Sequence, residues 1–350
     1  MKNFKILFFL LSLWIANGVA TAQELPVFTQ KFSNSVFYNP ALSGLTEGSI
    51  DLAFQNAWNG LDRKVNNSYF MAQAPLMDGS IGASLNFFNE KINLFNTFYV
   101  SGAGAYHLPV SYNTTLSFGL QGEYFNNRID LSDVRVINET DPLILNYPGY
   151  NGFDFTFGAN LRSTYYSVGA SMNRMINFFS SDNSDPSGNL FTEFATFQAA
   201  FFLPVANDRD VLEPRLNYRT VKYFENLLDI GVYYTYNDLL TVGGAYRTNT
   251  TYNVSAALHY DYFTIGYSRQ SFANEYSNDI GSSDEIVLRY VFMSNDNVGY
   301  FGSGGPKKGK GFRLGGVQKV KADKPRKPIT SRREKRKMKG YKGKYKKLKN

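Results

Sequence analysis

From Ser49 onward the chain alternates apolar and polar positions in segments of about ten residues, the period of a strand with two different faces. Ile50, Leu52 and Phe54 alternate with Asp51, Ala53 and Gln55. Ile81, Ala83, Leu85 and Phe87 alternate with Gly82, Ser84 and Asn86, and Leu116, Phe118 and Leu120 with Ser117, Gly119 and Gln121. The cleanest segment sets Phe153, Phe155, Phe157, Ala159 and Leu161 against Asp154, Thr156, Gly158, Asn160 and Arg162. Similar runs follow at 166–172, 197–203, 228–236, 240–246, 252–260 and 263–269, with weaker ones near Phe70, Val100 and Leu216. The last is 284–293, where Ile286, Leu288, Tyr290 and Phe292 oppose Glu285, Val287 and Arg289. The pattern predicts about 14 strands.

Strands of about ten residues have the length of a tilted membrane crossing. A water-soluble sandwich shows shorter strands, with a core on one face only. Aromatics make up 16% of the chain, with 25 Tyr and 30 Phe against 2 Trp, beside 30 Gly. That excess suits rings at membrane interfaces, although composition alone leaves a secreted sandwich open. Past the N-terminus no run of about 18 apolar residues occurs, so no membrane-spanning helix is expected. The expected fold is an all-β, transmembrane antiparallel β-barrel of about 14 strands over residues 47–293. Long Asn-rich connections at 126–152, 173–189 and 272–283 interleave with short ones at 109–113, 162–165, 237–238 and 259–262, as outer loops alternate with periplasmic turns.

The two ends differ from this body. Residues 1–22 read as a secretory signal peptide: Lys2 and Lys5, an apolar core from Ile6 to Ala16, then the small residues Ala20-Thr21-Ala22. Residues 23–46 are aperiodic, and their Phe28, Phe32, Phe37 and Tyr38 call for burial. A plug inside the barrel mouth would supply it. Residues 294–350 form a Gly-, Pro- and Lys-rich tail. From Pro306 to Asn350 it holds 20 Lys+Arg against 2 acids, a charge of +18. Of the chain's 37 basic and 29 acidic residues this leaves 17 and 27, so the rest carries −10.

Within the aperiodic segment, Phe28-x-Gln30 precedes Asn39-Pro40-Ala41-x-x-Gly44, and Trp58 ends the first strand. This arrangement resembles the start of the PorP/SprF family of outer-membrane proteins, associated with type IX secretion and gliding motility in Bacteroidetes. Members often carry an Arg shortly before that Trp; here the stretch is Gln55-Asn56-Ala57-Trp58, without one. The resemblance implies a barrel in the outer membrane that helps export a surface protein or hold it on the cell, with adhesins as one cargo class. The basic tail is not part of the resemblance.

Little in the chain points to catalysis. Its two histidines, His107 and His259, lack a His, Asp or Glu partner at ligand spacing, and no Gly-x-Ser-x-Gly or His-Glu-x-x-His occurs. Gly304-x-x-x-x-Gly309-Lys310 has phosphate-loop spacing, but Gly311 stands where the magnesium-binding hydroxyl belongs. With no Cys there are no thiolate sites or disulfides. The chain is therefore expected to be non-enzymatic and without cofactor.

Glu123, Asp154, Arg162 and Asp229 face the interior by the alternation, where opposite charges are expected to pair. A diffusion porin would use such charges for selection instead. An outer-membrane enzyme would need His107 or His259 against a carboxylate and a hydroxyl.

The tail is too charged to form a core and reads as a disordered binding segment. Lys307, Lys308 and Lys310 lead it. Ser331 to Glu334 has a capping-box pattern around Arg332 and Arg333, and Lys335, Arg336, Lys337 and Lys339 follow before Gly340. Tyr341 and Tyr345 then interleave with Lys342, Lys344, Lys346, Lys347 and Lys349. Behind a signal peptide the target is expected in the periplasm: peptidoglycan, or a secretion-ring or peptidoglycan-associated protein, with no nucleic acid involved.

Overall fold

A computed structural model of the chain describes residues 35–61, 65–111, 113–129, 149–176, 193–206, 210–221, 226–248, 251–273 and 281–294. The signal segment, Phe28, Gln30 and Phe32, and the basic tail lie outside the described residues.

The strands are β1 Glu47–Ala57, β2 Val65–Leu76, β3 Ile81–Ile92, β4 Phe95–Ser111, β5 Thr114–Ile129, β6 Tyr150–Ser163 and β7 Tyr166–Asn173. They continue with β8 Phe194–Phe201, β9 Leu203–Val205, β10 Asp210–Val221, β11 Leu227–Tyr236, β12 Leu240–Arg247, β13 Thr251–Tyr260, β14 Phe263–Phe272 and β15 Ser282–Ser294. β8 and β9 are two parts of one stave interrupted at Phe202, and both pair with β10. Fifteen segments thus make a 14-strand barrel. Each stave runs antiparallel to the next, and β15 pairs with β1 from Ser294↔Glu47 to Asp284↔Asn56. Closure leaves no free edge, which is how a strand structure satisfies its backbone in lipid. No helix among the described residues is long and apolar enough to cross a membrane.

The alternation sets the two surfaces. On β6, Phe153 and Phe157 are 56% and 43% exposed while Asp154 and Thr156 are 1% and 0%. Phe155, Leu120, Ile230, Ile265 and Ile286 likewise point outward, as lipid-facing residues must. Exposed Tyr106, Tyr165, Tyr236, Tyr260 and Phe263 gather toward the end of the barrel that carries the short turns, where rings suit a membrane interface. In the turn between β11 and β12, Asn237 and Asp238 both take positive φ (47° and 49°), the backbone twist that a tight hairpin requires.

The core sits in the lumen. Val36, Phe37 and Tyr38 pack with inward-facing Ala53, Tyr69, Met71, Phe88, Tyr99, Phe125, Phe194 and Val287. This is also where alternation weakens in the sequence. At Tyr69-Phe70, Phe87-Phe88, Phe98-Tyr99 and Tyr124-Phe125 one ring faces lipid and its neighbour faces the interior.

Candidate functional site

Residues 35–46, just before β1, lie inside the barrel, and they are not irregular throughout. Ser35–Tyr38 form one helical turn, α1, and Pro40–Leu42 a 3₁₀ turn. Asn39, in extended backbone, caps the second: its Oδ1 accepts from the Ala41 N–H at 3.0 Å. Pro40 fits the first position, where a helix needs no amide hydrogen. The other end of the Asn39 amide, Nδ2, donates to the Ala159 carbonyl of β6 at 3.3 Å. Gly44 has φ +59°, and a Cβ there would meet the Ala74 carbonyl of β2 at contact too close for any side chain. Its N–H donates to Gln73 Oε1 at 3.0 Å.

The wall is shaped to receive this motif. Four glycines on inward positions of four strands stand where the segment touches the sheet. A Cβ at Gly82 of β3 would strike the Ser43 carbonyl, and at Gly119 of β5 the Pro40–Ala41 backbone. At Gly158 of β6 it would strike Asn39 Oδ1, and at Gly169 of β7 it would crowd Asn39 Nδ2 at 2.8 Å. Ser43 is fixed from two further sides: its hydroxyl meets that of Ser84 at 2.9 Å, and its carbonyl meets His107 Nε2 at 3.0 Å. His107 Nδ1 reaches Ser117 Oγ at 2.9 Å. His107 therefore clamps the segment to the wall through both ring nitrogens.

Toward the long-loop end, α1 enters a cage of rings. Phe37 lies 5.0 to 6.1 Å, centroid to centroid, from Tyr38, Tyr69, Phe88 and Tyr99. The Tyr38 carbonyl accepts from Ser171 Oγ at 2.6 Å, and the Arg219 guanidinium sits 4.3 Å above the Tyr38 ring. Arg174 approaches the rings of Phe125 and Phe194 (5.6 and 5.7 Å) and Glu123 (3.7 Å). Glu123 also accepts from Tyr99 and Gln121 at 2.8 and 3.1 Å.

The segment fills the half of the lumen that faces β2–β8. A cavity of about 170 Å³ remains in the other half, bounded by Val36, Leu42 and Leu45 and by charged wall residues. Those charges are paired: Arg215 with Glu213 at 2.5 Å and Arg247 with Asp229 at 2.6 Å. Arg289 contacts Glu47 and, at 3.3 Å, Asp51, joining β15 to β1 across the seam that closes the barrel. Arg162 stacks 4.5 Å over Phe202.

Over residues 20–290 the chain matches the family model described as type IX secretion system membrane protein PorP/SprF. The chain belongs to the PorP/SprF family. Its barrel architecture and this membership make it an outer-membrane protein of the type IX secretion system. No curated protein sequence matches it. Among solved structures it is similar to Omp33 of Acinetobacter baumannii, at 9% identity over 71% of this chain and 100% of that one, TM-score 0.43. A substituted form of the Rh. blastica porin matches at 11% over 70% and 99%, TM-score 0.33, and the KdgM porin at 9% over 69% and 98%, TM-score 0.35.

In this PorP/SprF barrel the motif residues divide. Asn39, Pro40, Ala41 and Gly44 come together against the glycine wall, with Asn39 and Ala41 at 0% exposure. Trp58 stands at the long-loop rim just past β1, with φ +59°, beside a tie from Asn59 Nδ2 to Asp284 Oδ2 at 2.8 Å. Of the interior charges singled out by alternation, Glu123 and Asp229 pair with Arg174 and Arg247. Asp154 accepts from the Phe155 and Ile176 amides, at 2.7 and 2.8 Å. His259 lies between the hydroxyls of Thr241 and Thr264, at 2.8 and 2.9 Å. The alternation did not reveal the receiving glycines or the inward rings as partners of the motif. Paired rings at successive positions were the available signal for the cage.

Proposed function

We propose that this PorP/SprF barrel is a non-enzymatic docking component of the type IX and gliding machinery, which helps export a cargo protein or attach it to the cell surface. The observation that carries this reading is that residues 35–46 occupy the lumen and are built into its wall. A barrel that holds its own segment on fitted glycines and an aromatic cage has given its interior to rigidity. Its exchange with partners then falls to its two ends.

At the outer end, the long loops would grip an adhesin-like cargo. At the other, the tail from Lys307 to Lys349 would tie the barrel to peptidoglycan or to a periplasmic ring protein, since 20 cations in 45 residues favour a polyanionic surface. The diffusion-porin reading draws on the cavity beside β8–β15, whose wall carries the Glu213–Arg215 and Asp229–Arg247 pairs. Planar-bilayer conductance tests the choice. The intact protein is expected to conduct poorly, and deletion of residues 24–43 to open a channel in barrels that still fold. A large, steady conductance from the intact protein overturns the docking reading in favour of the porin.

A further inference from the structure

We propose that the outward face of β3–β5, at the long-loop end, binds a phosphate-bearing glycolipid of the outer leaflet. Lys91 on β3 is in register with Asn96 on β4, and Asn96 with Arg128 on β5. All three share the outward face with Leu85, Phe98 and Phe118. Among the described outward positions of β2–β6, Lys91 and Arg128 are the charged ones, and they stand at one level. Adjacent strands are about 4.8 Å apart, so the two Cα atoms lie roughly 10 Å from each other, within reach for both side chains to converge above Asn96.

The level is that of the headgroups. Below it, the outward residues of β4 are apolar, aromatic or glycine without a break from Phe98 to Val110. At about 3.4 Å per residue and a tilt near 40°, that run covers about 30 Å of membrane, the full apolar band. The neighbouring positions at the same edge are amides: Asn66, Asn89, Asn126 and Asn151, paired across the strands as Asn66↔Lys91 and Asn126↔Asn151. Cations that take phosphate oxygens, flanked by amides that hydrogen-bond to hydroxyls, fit a phosphorylated sugar headgroup. Its acyl chains would lie along the apolar face beneath. A zwitterionic headgroup would leave the cation pair half matched. The inference goes beyond the docking reading and rests only on the long loops facing the outside.

The test titrates the full-length protein, in neutral detergent, with bisphosphorylated lipid A. Lys91→Gln and Arg128→Gln are each expected to weaken binding about fivefold, and both together about 25-fold. The Lys91→Arg, Arg128→Lys double variant should retain it. Both side chains lie outside the core, so all variants should keep heat-modifiable migration. Unchanged binding by the double Gln variant overturns the proposal, as does equal affinity for the same glycolipid without phosphates. Displacement of the lipid by equimolar inorganic phosphate would likewise overturn it. A salt titration of the unsubstituted protein tests the same assignment independently of any variant. Affinity should fall steeply as salt rises from about 0.05 to 0.3 M, and salt-independent binding contradicts the assignment.

Discussion

Gly119→Ala adds one methyl group to a wall of the lumen, and its effect can be worked out from what stands opposite. The new Cβ would overlap the Pro40 carbonyl group and the Ala41 nitrogen, all backbone, with no flexible side chain to swing away. Two responses compete. The segment can back away from the wall by roughly an ångström, since contacts of 2.3 to 2.5 Å with backbone must open to ordinary van der Waals distance, with an overpacking cost toward the upper end of about 1–3 kcal/mol. Alternatively it can leave, which exposes Val36, Phe37 and Tyr38 at about 1.5–3 kcal/mol each. Expulsion is the more expensive, so the segment should stay and the barrel should lose about 1–3 kcal/mol. Gly104→Ala, on the adjacent strand but facing lipid, is the control. A Cβ there meets nothing within 4 Å, so it should be neutral or slightly stabilising. The assay is the temperature at which purified protein loses its fast-migrating folded form on an unheated gel. Equal temperatures for the two variants would mean that the motif is not seated on the glycine wall, and the reasoning would fail.

Three further outcomes follow from the geometry. Phe157→Arg places a cation on the lipid face and should cost about 2–4 kcal/mol, whereas Phe157→Leu should keep folded protein in normal yield; equal yields contradict the facing assignment. Arg289→Met leaves Glu47 and Asp51 without their shared cation at the closing seam and should cost about 3–5 kcal/mol by thermal gel shift. Arg269→Met, at the exposed partner of Asp284, should cost under about 1 kcal/mol; similar losses for these two variants would refute the seam's role. His107→Leu removes the clamp on Ser43 and leaves its carbonyl unpaired. It should destabilise by about 1–3 kcal/mol and make the chain before Glu47 more sensitive to protease, and an unchanged digestion pattern would rule the clamp out.

The barrel was legible because lipid imposes a simple rule on one face of every strand. Phe153 to Leu161 carries that rule without exception, and β13 and β14 nearly so. The lumen was less legible because no solvent fixes its chemistry: one half is filled by rings, and the other is a cavity lined by ion pairs. Where rings fill it, β2 and β4 have apolar residues on both faces and their period of two fades, as near Phe70 and Val100. Of the motif, Asn39-Pro40 and Gly44 could be read locally as turn residues. Their partners Gly82, Gly119, Gly158 and Gly169 lie 38 or more positions along the chain, joined only by closure of the sheet. The pairing of Arg289 with Glu47 and Asp51 is equally non-local, since it depends on the last strand meeting the first. Ion pairing of Glu123 and Asp229 agreed with the expectation from alternation, and Asp154 also accepts from the Phe155 and Ile176 backbone amides, which alternation does not show.

Docking, as the proposed work of this PorP/SprF barrel, is tested most directly by extraction from native membranes in mild detergent. What co-purifies is identified and quantified for the full chain and for a chain truncated after Gly305. The docking proposal predicts that the full chain brings down a secreted or surface-attached protein together with a periplasmic or wall-associated component. Truncation should remove the second and leave the barrel folded in the outer membrane. A full chain that purifies alone, or a truncated chain that retains the same periplasmic partner at the same salt tolerance, contradicts it.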